Sequence, residues 1–82
     1  MLYTIKYIHK MDKELLAEQI IGLTYDDAIN FFKSIRIDKF NYYYLRPIKI
    51  NNMVLLKDKS IDENRCNVVI EGGVIKSIDG WF

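Results

Sequence analysis

The side chains with chemical potential in this sequence gather in one place. Lys57, Asp58, Lys59, Ser60, Ile61, Asp62, Glu63 and Asn64 form an unbroken run in which only Ile61 is apolar, and Arg65 comes directly after it. Burying unpaired charges is costly, so such a run cannot be core and is expected as an exposed loop. Arg65 can hold that loop, because its forked guanidinium has several donors for loop carbonyls or for Asp58 and Asp62. An exposed loop braced against a rigid scaffold is where binding residues tend to sit. The chemistry on offer is therefore recognition.

The alternatives fare worse. His9 and Cys66 are the only histidine and the only cysteine, they lie far apart in the sequence, and nothing places a third group beside them for nucleophilic catalysis. One histidine and one cysteine cannot supply a metal site. Cys66 opens a strand-like run and is expected as a small, partly buried hydrophobe. Gly72-Gly73 is a turn and not a phosphate loop, because no helix comes after it. The expectation is a non-enzymatic protein with no cofactor and no metal. Tyr42, Tyr43 and Tyr44 stand between Lys39 and Arg46 and could stack bases. Alternation sends those rings to both faces of a strand, and a net charge of +1 provides no basic field, so nucleic acid is not the expected partner.

The elements that must position the loop can be read from pattern. At 82 residues the chain has room for one domain, 1–82, with one modest core. A hydrophobic share of 50% sets it apart from disordered compositions. No apolar run is long enough to span a membrane, the N-terminus lacks the apolar core of a signal peptide, and a lone cysteine allows no internal disulfide. These features point to a cytoplasmic setting without membrane contact.

Leu2–His9 is strand-like. Leu15–Ile21 has helix-favouring composition, although it could also return as a strand beside Leu2–His9, and Gly22 would stop a helix there. Thr24 can cap a helix at Asp27, and Asp26 and Asp27 suit its first turn. Tyr25, Ala28, Ile29, Phe32 and Ile35 then form one apolar stripe, with Lys33 and Arg36 at the end. Phe40–Leu45 is β-prone and alternates, with Phe40, Tyr42 and Tyr44 on one face and Asn41, Tyr43 and Leu45 on the other. Pro47 should end that strand or mark an edge. Met53–Leu56 is a short strand or a gap filler. Asn67–Glu71 and Val74–Ile78, joined by Gly72-Gly73, are expected as a hairpin with a primed turn. Together these predict a small α+β domain: one main helix packed on a mixed four- to five-stranded sheet, an exposed loop and a C-terminal hairpin.

With those stretches in view, the chain resembles the potato inhibitor I family of serine-protease inhibitors, and more closely its small bacterial relatives. AEQIIGLTYDDA looks like that family's entry to the helix. YYYLRP looks like the strand that ends in Arg-Pro, at Arg46-Pro47. DENRCNVVIEGGVIKSIDG looks like the distal part, with Arg65, Asn67 and Val68 on the Arg-x-Asn-Val positions. The similar stretches run in the same order over Ala17–Gly80. The loop is a few residues longer than the family pattern, the paired cysteines of many bacterial members are missing, and Leu2–His9 is additional.

The resemblance implies a stiff, substrate-like loop offered to a subtilisin-, chymotrypsin- or trypsin-like protease, with its P1 residue in the specificity pocket. Leu56, Lys57, Asp58, Lys59, Ser60, Ile61 and Asp62 would form that loop, and Arg65 and Asn67 would support it. Counting back from Arg65 puts P1 at Lys59, and the apolar approach Val54-Leu55-Leu56 puts it at Leu56. The alternative is a small interaction module of phage or virus type, binding another protein through the same loop or a sheet edge.

Overall fold

The computed structural model describes residues 13–35, 37–55 and 59–82. Two helices, α1 (Lys13–Ile20) and α2 (Tyr25–Lys33), precede four strands: β1 (Tyr44–Ile50), β2 (Met53–Val54), β3 (Arg65–Glu71) and β4 (Val74–Trp81). The strands make one mixed sheet in the order β2-β1-β3-β4. β1 and β3 run parallel, whereas β1 with β2 and β3 with β4 are antiparallel. This is the expected α+β architecture, with four strands in the sheet among the described residues. Leu15–Ile21 resolves as helix, so α1 stands beside α2 as an element of similar length. The strand expected at Leu2–His9, the histidine within it, Arg36 and the loop residues Leu56, Lys57 and Asp58 lie outside the described residues.

Local chemistry sets the element ends. α1 gives way to Gly22 at φ +90°, a conformation that costs glycine little. Thr24 caps α2 as expected, its Oγ1 accepting a hydrogen bond from the Asp27 amide at 3.1 Å. The turn between the helices lies along the start of β4, with Gly22 N donating to the Ile75 carbonyl and Ile75 N to the Leu23 carbonyl, both at 2.8 Å. Gly72 and Gly73 take φ +63° and +81°, the pair of positive values that the tight β3–β4 turn requires.

The core brings Leu16 and Ile20 of α1 and Ala28 and Phe32 of α2 against Cys66, Val68 and Ile70 of β3 and Ile75 of β4. Phe32 is 1% exposed and stacks at 6.0 Å on Trp81, which meets Tyr43 edge-on at 5.2 Å. Two bulges make this packing possible. Ile75, Ile78 and Trp81 are three residues apart, so an unbroken strand would point Ile78 away from its neighbours. β4 instead leaves Lys76 and Asp79 unpaired opposite β3, and Ile75, Ile78 and Trp81 fall opposite Ile70, Val68 and Cys66. A further irregularity at Ile48 sets Ile50, and not Lys49, opposite Ile70.

One expectation is corrected and another is met in part. The strand placed at Phe40–Leu45 begins only at Tyr44 and runs to Ile50. Asp38 explains the late start: its Oδ1 accepts from the amides of Phe40 (2.8 Å) and Asn41 (2.9 Å), so a side-chain-built turn overrides the β preference of Phe40. The alternation itself holds from Tyr42 to Leu45, with Tyr43 1% exposed while Tyr42 and Tyr44 face solvent. Pro47 does not end the strand, and of its two expected roles the edge one fits. It sits inside β1 beside the Ile48 bulge, and β2 pairs only with Lys49 and Ile50, so its missing N–H removes no bond to β2.

Candidate functional site

β3 turns Cys66, Val68 and Ile70 to the core, and alternation therefore sends Arg65 and Asn67 to the opposite face. Both are buried even so, at 8% and 0% exposure. Parallel register sets Tyr44 of β1 opposite Arg65 and Arg46 opposite Asn67. Four polar side chains thus meet where the chain enters β3.

Their hydrogen bonds converge on the loop before β3 and on the segment after β4. Arg65 donates through Nη2 to the Ser60 carbonyl at 2.9 Å and to Ser60 Oγ at 3.3 Å, and through Nε to the Phe82 main-chain oxygen at 3.0 Å. Asn67 Nδ2 donates to the Phe82 oxygen at 2.9 Å and to the Gly80 carbonyl at 3.2 Å. Its Oδ1 accepts from Arg46 Nε at 2.7 Å. Arg46 Nη2 makes a longer contact of 3.4 Å to the same Phe82 oxygen. Gly80 makes room for this arrangement: its φ is +145°, and a Cβ there would lie 3.0 Å from the Phe82 ring.

The base of the loop is tied down separately. Arg65 N donates to the Asp62 carbonyl at 3.0 Å, Tyr44 N to the Asn64 carbonyl at 3.1 Å, and Asn64 N to Asp62 Oδ1 at 2.9 Å. Tyr44 OH donates to Asp62 Oδ2, and Lys13 Nζ to the Glu63 carbonyl. The Tyr44 hydroxyl, the Asn64 amide and the positive charges of Arg65 and Lys13 hold the Asp62 carboxyl below its usual range, and Asp62 raises the Tyr44 phenol in return. Above this base Lys59 and Ser60 are exposed, and Ile61 is 84% exposed.

Of the expected loop residues, Lys59, Ser60 and Ile61 are therefore found together at an exposed tip above Arg65, whereas Asn67 bonds to Arg46, Gly80 and Phe82 and not to the described residues of the loop. Asp62 serves the base of the loop through Tyr44 and Asn64. Arg65 reaches a loop carbonyl, at Ser60, as one of its two expected kinds of partner. Sequence reasoning gave no role beside the loop to Tyr44, Arg46, Lys13 or Phe82. A signal for Arg46 did exist, since pairing YYYLRP in parallel with RCNVV sets its guanidinium beside Asn67. Lys13 and Phe82 act from remote parts of the chain and left no local signal. Cys66 is fully buried, and burial pushes its thiol up to about 12, out of the range of a reactive thiolate.

Among the described residues no group of three or more His, Cys, Asp or Glu side chains is placed to hold a metal, and no helix is long and apolar enough to cross a membrane. No protein-family model, no curated protein and no solved structure matches this chain.

Proposed function

We propose that this protein is a non-enzymatic serine-protease inhibitor, similar in mode to the potato inhibitor I family, that offers Lys59–Asp62 as a substrate-like loop. The observation that carries the reading is the clamp from a buried Arg65 onto the carbonyl of Ser60 in an otherwise exposed loop. A loop already held in its binding shape gives up little conformational entropy when a protease cleft closes on it. The clamp also bears on the outcome of attack at the Lys59–Ser60 bond. Cleavage frees the Ser60 amine, and a Ser60 still held by Arg65 stays beside the acyl group, which favours resealing over hydrolysis. Leu56 is the other P1 candidate. The clamp on Ser60 favours Lys59, and hence a protease whose pocket takes a basic side chain.

A cytoplasmic setting belongs to the same proposal and rests on the lone thiol buried in the core. The rival reading is an interaction module working through the same loop or a sheet edge, and its edge form draws little support from β4. The turn after α1 covers its start, and the bulges at Lys76 and Asp79 spoil the regular spacing that strand addition needs. Titration against trypsin-, chymotrypsin- and subtilisin-like proteases tests the inhibitor reading. Tight inhibition of a trypsin-like enzyme that Lys59→Ala abolishes is the expected result. Absence of inhibition across the panel, with the loop cut as an ordinary substrate, would remove it and leave the interaction module in front.

A further inference from the structure

Beside the loop base lies a groove of about 300 Å³ lined by Phe40, Asn41, Tyr42, Tyr44, Asp62 and Asn64. Its walls are aromatic and open to solvent: Phe40 is 82% exposed, Tyr42 49% and Tyr44 36%. Tyr42 and Tyr44 meet edge to face at 6.4 Å, which leaves ring surface turned outward. Exposed rings of this size, grouped around one depression, are unusual on a surface that has no use for them.

The charge of the lining narrows the occupant. Asp62 is its one charged member, and no lysine or arginine stands among the lining residues. Each Asp62 oxygen has one identified donor, Asn64 N at Oδ1 and Tyr44 OH at Oδ2, so each keeps acceptor capacity for a further hydrogen bond. The two cations that act on Asp62, Arg65 and Lys13, have their hydrogen bonds to other groups. Arg65 is engaged with Ser60 and Phe82, while Lys13 reaches the Glu63 carbonyl and lies over the Tyr43 and Trp81 rings. Phe40 already has the Lys39 ammonium 5.7 Å from its centroid, so the ring can take a cation on its face.

We propose that this groove recognises an arginine or lysine side chain on a protein partner, with the rings of Phe40, Tyr42 and Tyr44 packing on its stem or guanidinium plane and Asp62 accepting its charge. A carboxylate at this position repels phosphate, which sets nucleic acid aside as the occupant. The groove shares Asp62 with the base of the loop, but the proposal does not rest on the inhibitor reading and its test needs no protease.

N-acetyl-arginine methylamide is the probe, titrated into the intact chain while backbone amide resonances are followed by NMR. Its uncharged citrulline counterpart is the control. Saturable shifts centred on Tyr42, Tyr44 and Asn64 are expected, with citrulline weaker by about fivefold or more. Phe40→Ala, an exposed change outside the loop, and Asp62→Asn should each weaken arginine binding by a similar factor. Three outcomes would overturn the proposal: equal binding of arginine and citrulline, stronger binding of N-acetyl-leucine methylamide, or a shift pattern produced only by oligouridylate.

Discussion

Along β3 successive side chains live in two different environments, and the contrast shows how this small chain divides its labour. Cys66, Val68 and Ile70 meet Leu16, Ile20, Ala28 and Phe32 in a dry cluster whose stabilisation scales with the apolar area removed from water. Arg65 and Asn67, one residue out of step, are as well covered, yet they meet Arg46, Ser60 and the Phe82 oxygen through directed hydrogen bonds. Burying a guanidinium and an amide costs solvation that their hydrogen bonds roughly restore, so that face adds little net stability. It contributes shape. One strand therefore supplies folding energy on one side and loop geometry on the other.

The two faces separate most clearly when each is damaged in turn. Phe32→Ala should have the largest effect, about 3–5 kcal/mol lost in urea unfolding at constant slope, because it empties the volume between α2, Tyr43 and Trp81. Asn67→Ala comes next, at about 1–3 kcal/mol, because Arg46 Nε and the Gly80 and Phe82 oxygens lose a buried partner. Equal costs for the two substitutions would erase the distinction between the faces. Thr24→Ala should cost about 1 kcal/mol by uncapping α2, an effect on the helices that leaves the loop unchanged. An unchanged unfolding midpoint would show that the cap contributes nothing.

Legibility in the sequence divides along similar lines. Elements carried by local chemistry are readable: Thr24 at a helix start, Gly72-Gly73 at a tight turn, and the stripe from Tyr25 to Ile35. So is the loop, because a charged run has nowhere to go but outward, and so is the reach of Arg65 to one of its carbonyls. The bulges at Ile48, Lys76 and Asp79 are not readable, since nothing in a single strand says which residue its partner will skip. Pro47 is half readable, because it does not end β1 but does mark the stretch of that strand that β2 leaves uncovered. Arg46 and Tyr44 join the site only through the parallel register of β1 with β3, a long-range fact. The Asp38–Asn41 turn is within reach of sequence reasoning, yet the aromatic run after it dominates the local pattern.

If the polar face of β3 contributes shape, Arg65 should hold the loop more than it holds the fold, and cleavage of the loop puts this to the test. Arg65→Ala and the wild type would be exposed to trypsin under native conditions, with unfolding free energies measured in parallel and the first cut site identified by mass. The expected stability change is smaller than that of Asn67→Ala. Cleavage at Lys59 should be faster in the variant by about tenfold or more, since a freed loop samples many more conformations. Equal rates of cleavage at Lys59 in the two proteins, or a variant whose faster cleavage tracks global unfolding alone, would contradict a bracing role for Arg65.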